Sequence, residues 1–187
     1  MDNIISKYKL EKIKDLTWKD VFQVWRENED FEGSHWIELW QSRGFKSWEE
    51  WRITYAKKLG LADLNWALYR ILKPMDDVPE FCGGSFRSWV ERFYQGQENP
   101  SFSWLAKQPD IQAHQGIQKF ITSFPENTTV SGILIKDKIV IVEGMHRCTA
   151  IALAEVLNEK IILNNMYICI AEYDQDQMPV VGKNVND

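Results

Sequence analysis

Glu143, Gly144, His146 and Arg147 stand within five consecutive positions, directly after the β-branched run Val140-Ile141-Val142. An acid, a glycine, an imidazole and a guanidinium at that spacing suit anion binding and proton transfer. If the run is a strand and a helix opens after Gly144, the first-turn N–H groups lack intrahelical partners and carry about half a positive elementary charge. Glycine lets the chain turn sharply there and lets a phosphate reach the amides. A bidentate contact from Arg147 adds about 1.5–3 kcal/mol, against about 0.3–1 kcal/mol from the helix dipole. Arg147 is thus expected to decide phosphate affinity, with Gly144, the Met145 N–H and His146 completing the cradle.

An acid beside an anion site is repelled unless a divalent cation or a proton transfer accounts for it. Glu143 is therefore read as a magnesium ligand or general base, and His146 as a donor to a phosphate oxygen or a proton shuttle. Both are the catalytic candidates. Plainer readings stand beside them: Glu143 is a solvated strand end or pairs with Arg147, His146 bonds a carbonyl, and Cys148 is a buried inert thiol. A second loop-to-helix junction, Phe81 to Arg87, offers Gly83, Gly84 and Arg87 either as a further pocket wall or as a capped hinge.

Those residues need a strand, a turn and a helix to hold them. Val130 to Ile135 and Ile139 to Glu143, joined by Lys136-Asp137-Lys138, read as a hairpin apolar on both faces and so covered by helices. Ala150, Leu153, Ala154 and Leu157 give a helix over 145–157, and a third strand follows over 161–172. The first two-thirds reads as helices. Thr17 with Asp20 and Ser47 with Glu50 resemble capping boxes, the first of these helices fading across Glu27 to Glu32. Ser34 opens a helix between them, and Gly44 and Gly60 are C-terminal stops. Further helices are expected over 63–72, from Ser85 to near Gly96, and over 109–124, with 73–84 a loop and a loose tail from Asp174. The expected fold class is α+β: a large Trp-rich helical part (1–75) packed on a small sheet with an embedded helix in 76–187, possibly as one continuous domain.

Hydrophobic residues at 44% and aromatics at 13% require a packed core, which the nine tryptophans help to fill. A net charge of -5 argues against duplex nucleic acid as the main partner. Cys82, Cys148 and Cys169 form no CxxC pair, so neither a disulfide framework nor a zinc site is expected. With no apolar run near the roughly 20 residues of a membrane span, and no signal-peptide pattern, a cytoplasmic protein is expected.

The segment Glu143-Gly-Met-His-Arg-Cys-Thr-Ala150, with a hairpin before it and a helix and strand after, resembles the ParB/sulfiredoxin-like superfamily over roughly residues 125–172. The resemblance implies that Gly144, Met145, His146 and Arg147 bind the phosphates of a nucleotide (ATP, ADP or CTP), with Mg2+. Met145 stands where sulfiredoxins carry their catalytic cysteine, so that chemistry is not expected. Partition proteins continue into a helix-turn-helix region, for which little chain follows the last strand. The acid before Gly-x-His-Arg matches best the nucleotide-dependent kinase members. The expected function is therefore phosphoryl transfer or nucleotide hydrolysis, by a nucleotide-dependent phosphotransferase or nucleotidase, on a nucleotide or other phosphorylated small molecule. Two alternatives are a non-catalytic ligand-sensing module with the same pocket and a ParB-like nuclease or DNA-associated protein.

Overall fold

The computed structural model describes residues 2–31 and 34–182. Helix α1 (Asp2–Lys7) leads into strand β1 (Leu10–Leu16); three helices follow, α2 (Trp18–Glu29), α3 (His35–Ser42) and α4 (Trp48–Leu59), then strand β2 (Trp66–Ile71). Short pieces come next: α5 (Pro74–Asp77), β3 (Cys82–Gly83), α6 (Arg87–Arg92), α7 (Phe102–Leu105), α8 (Pro109–Gln112) and α9 (Gln115–Thr122). The last part is β4 (Asn127–Ile135), β5 (Lys138–Glu143), α10 (Met145–Leu157) and β6 (Asn165–Glu172). Six strands form one mixed sheet in the order β1-β2-β6-β4-β5-β3. β4 runs parallel to β6 and antiparallel to β5, so α10 crosses over from β5 on the way to β6.

Helices cover both faces of this sheet. β5 shows why the hairpin is apolar all round: Ile139 and Ile141 join α7, α9 and α10 on one face, while Val140 and Val142 meet α2 and α4 on the other. The tryptophans fill the second layer, where Trp25, Trp48, Trp51 and Trp66 are each at most 2% exposed. Burial of that order contributes roughly 1.5–3 kcal/mol per large apolar side chain.

The helical layer starts as its caps dictate. Thr17 and Asp20 form the full capping box of α2. Ser47 accepts from the Glu50 N–H, but the Glu50 carboxylate reaches back to the Lys46 N–H, one residue before the cap. α2 runs to Glu29, which is buried; Glu32, the end of the acidic stretch expected to break that helix, lies outside the described residues. α4 ends at Gly60 in the left-handed region with φ 63°.

The structure departs from what the sequence predicts in five places. Residues 63–72 were expected to be helical, yet Trp66–Ile71 is a strand held between β1 and β6. Its run of large apolar residues satisfies a strand buried on both faces as well as a helix, and pairing on two edges decides between them. The sheet thus takes strands from both sides of residue 75. Within 73–84, read as a loop, lie α5 and the short strand β3, which is parallel to β5. The helix expected over 109–124 breaks in two because His114 caps α9, its Nδ1 accepting from the Ile117 N–H. Ser85 does not cap α6; its hydroxyl accepts from Asn99, and Phe86 is the cap residue. The chain after Asp174 is docked rather than loose as far as Gly182: Val181 is 1% exposed and exchanges backbone hydrogen bonds with Ser85 and Arg87. Residues 183–187, the rest of that expected tail, lie outside the described residues.

Candidate functional site

Gly144 adopts φ 98°, and a Cβ there would stand 2.3 Å from Val130 Cγ1, so the β5–α10 junction needs glycine both for its turn and for its space. Gly144, the N-cap residue, makes no side-chain hydrogen bond to α10, whose first turn depends on its surroundings. Those surroundings are a cavity of about 320 Å³ reached by residues of both sheet faces. Gly144, Met145, His146 and Arg147 line it from α10, and Asn28, Glu29, Trp36, Trp51, Arg52 and Tyr55 from the Trp-rich layer. At 320 Å³ it sits at the small end of the roughly 300–1,000 Å³ usual for small-molecule sites.

Glu143 and Arg147 do form an ion pair, with Arg147 Nη2 2.5 Å from Glu143 Oε1. The other guanidinium terminus, Nη1, donates to Thr128 Oγ1 and the Thr129 carbonyl. Asn28 Nδ2 donates to Glu143 Oε2 at 3.1 Å and to the Thr129 carbonyl at 3.0 Å. Glu143 and Arg147 are each 6% exposed. Burial pushes the Glu143 carboxyl up, to about 7; Arg147 pulls it down and the nearby Glu29 charge adds to the rise. Each carboxylate oxygen is thus occupied by a donor, one of them a cation. That arrangement does not fit a magnesium ligand, and among the described residues no group of three His, Cys, Asp or Glu side chains could hold a metal.

A second buried ion pair stands on the same cavity. Arg52 donates through Nε, at 2.5 Å, and through Nη2 to the two oxygens of Glu29, which also accepts from Trp48 Nε1 at 2.9 Å. The Arg52 guanidinium lies 3.9 Å from the centre of the Trp51 ring. Position 29 gave no sign of this in the sequence: its partner is on another helix, and an acid inside an acidic stretch reads as solvated surface.

His146 is half-buried among rings, with centroids 5.3 Å from Trp89, 5.5 Å from His114 and 5.9 Å from Trp36. Burial, then the nearby Arg92 charge, lowers His114 and favours its neutral form. Cys148 is fully buried and its thiol is pushed far up by the loss of solvent, so it is the inert residue that its place inside α10 suggests.

The second glycine junction meets the first. The Gly84 N–H donates to Met145 Sδ, and a Cβ on Gly84 would lie 2.3 Å from the Ile141 carbonyl oxygen. Gly83 donates to the Pro100 carbonyl and accepts from Asn99. Arg87 reaches the cavity wall, whereas Gly83 and Gly84 do not line it, and the Gly84 N–H holds Met145.

Searches of protein-family models, of curated proteins and of solved structures return no match to this chain.

Proposed function

We propose that the protein binds a phosphorylated small molecule carrying a planar ring, with nucleotides the leading class, in the cavity at the start of α10. The observation that carries this reading is that the N-terminus of α10, to which Gly144 offers no side-chain cap, opens on a cavity walled by Trp36, Trp51 and Trp89. Helix amides and dipole favour the anion, and an indole face stacks on a base with about 1–3 kcal/mol. The succession β4, β5, α10, β6 also supports reading roughly residues 125–172 as ParB/sulfiredoxin-like, the resemblance that implies phosphate binding at Gly144 to Arg147. Because Arg147 is held by Glu143, Thr128 and Thr129, its part in binding is to fix the junction as well as to supply charge.

Calorimetric titration with ATP, ADP and CTP, with and without magnesium, tests this. Binding of at least one nucleotide is expected, weakened about tenfold by Trp89→Ala through lost stacking. Absence of binding by all three overturns the reading. A second reading, phosphoryl transfer with Glu143 as base, is favoured by the raised Glu143 carboxyl, since a general base works best near the operating pH. It requires turnover that Glu143→Gln abolishes while binding persists; a sensing module instead binds without turnover. The DNA-associated alternative has the net charge of -5 against it.

A further inference from the structure

The wall built by α3 and α4 keeps hydrogen-bond donors that nothing among the described residues takes up. Tyr55, 4% exposed, accepts from Trp51 Nε1 at 2.8 Å and from Arg43 Nη1 at 2.9 Å. Both donors are obligate, so the two lone pairs of the phenol are filled and its own O–H must donate elsewhere. It has no acceptor among the described residues. Arg52, 7% exposed, spends Nε and Nη2 on Glu29, and its Nη1 makes no hydrogen bond among the described residues.

Arg43 has no carboxylate partner among the described residues, and its guanidinium lies 5.7 Å from the centre of the Trp51 ring that also carries Arg52 at 3.9 Å. Two cations therefore flank one indole, and Glu29 neutralises only one of them. Among the described residues this leaves one guanidinium without a carboxylate partner beside aromatic rings, together with a phenol O–H and an Arg52 N–H that have no acceptor there. An oxyanion matches all of this at once: it accepts from a phenol O–H and from guanidinium N–H groups, and it balances the charge.

We infer that Arg43, Arg52 and Tyr55 form an oxyanion subsite, distinct from the α10 amides, that holds a second anionic group of the ligand. This rests on the reading of the cavity as a ligand site. The ligand class narrows accordingly, to a phosphorylated molecule with a further carboxylate or phosphate. Arg43 also occupies the C-cap position of α3, where the helix dipole favours a cation, so stability alone is no measure of the subsite.

The test is an NMR titration of the 15N-labelled full chain with inorganic phosphate and, separately, with malonate. The Trp51 indole N–H reports on the subsite and the Met145 and His146 amides on α10. Saturable movement of the Trp51 signal is expected, with Kd raised about tenfold or more in Arg43→Gln and less in Tyr55→Phe, while any movement of the α10 amides is retained. The anion that binds more tightly assigns the group as phosphate or carboxylate. Movement of the Trp51 signal alone upholds the subsite and removes the phosphate from α10. Movement of the α10 amides alone overturns the subsite and leaves the proposed function standing. No movement of the Trp51 signal with either anion overturns the subsite, as does an Arg43→Gln protein whose melting temperature changes while its titration does not.

Discussion

Two buried ion pairs flank one cavity, and they are built on opposite principles. Glu143 and Arg147 are four residues apart, join the end of a strand to the first turn of the next helix, and stay close because the chain leaves them no other place. Glu29 and Arg52 are 23 residues apart and hold α2 to α4, with both Glu29 oxygens bonded to Arg52, a Trp48 N–H added, and the guanidinium stacked on Trp51. The local pair leaves a carboxyl that burial has already raised; the long-range pair surrounds its carboxylate with donors. A charge pair close in sequence needs no tertiary structure to form, whereas a distant one exists only if the fold does, and it then becomes part of what holds the fold.

Removing one arginine from each pair gives the widest contrast. Arg52→Ala leaves Glu29 buried and without its cation, which costs about 3–5 kcal/mol. Arg147→Ala leaves Glu143 in a setting that already favours its neutral form, so it takes up a proton and the loss falls to about 1–3 kcal/mol of unmade hydrogen bonds. Urea unfolding of the two variants at neutral pH checks this, with the larger drop expected for Arg52→Ala. Equal drops would mean that the two carboxylates are equivalent and that sequence separation teaches nothing about them.

The same contrast explains what could be read in the sequence. The site around Gly144 was legible because its parts are contiguous: a β-branched strand, a glycine needed at φ 98° and a helix with apolar spacing each leave a local pattern. The Glu143–Arg147 pairing was legible too, as one alternative beside a solvated strand end, which the burial of Glu143 rules out. The layer that completes the cavity was not. Thr17, Ser47 and Gly60 announced the ends of α2 and α4, but nothing local says that Glu29 faces Arg52 or that Tyr55 accepts two hydrogen bonds. β2 was read as a helix because Trp66–Ile71 owes its strand form to β1 and β6, the second of which lies about a hundred residues further on.

The pH dependence of stability sharpens the comparison at a smaller scale. Burial raises the Glu143 carboxyl from its ordinary 4.5 to about 7. The folded protein thus holds that proton more tightly than the unfolded chain, and folding takes up a proton between those values. The stabilisation is complete below about pH 4.5 and is lost as pH rises through about 7. Wild type should lose on the order of 3 kcal/mol across that window through this group, a slope that Glu143→Gln removes. Asp77, also raised by burial, gives a slope of the same sign that remains in both proteins. Urea midpoints of wild type and Glu143→Gln at four or five pH values separate the two contributions, and parallel profiles would show that Glu143 does not titrate there.

Asn28 decides whether the two walls act as one. It precedes Glu29 on α2, and the two side chains diverge: Glu29 bonds to α4, while the Asn28 amide donates to Glu143 and to the Thr129 carbonyl. Thr129 also accepts from Arg147, so one helix residue bonds to both the carboxylate and the carbonyl that the Arg147 guanidinium contacts. Asn28→Ala removes two hydrogen bonds, a net loss of about 1–2 kcal/mol. Within a double-mutant cycle that loss should shrink by about 0.5–1 kcal/mol when Glu143 is already glutamine, because the bond to a charged acceptor no longer exists to be broken. Additive losses would mean that Asn28 serves only the Thr129 carbonyl and that the two walls are independent. A coupling of the expected sign would mean that the Trp-rich layer sets the protonation of Glu143, and so bears on any chemistry at the start of α10.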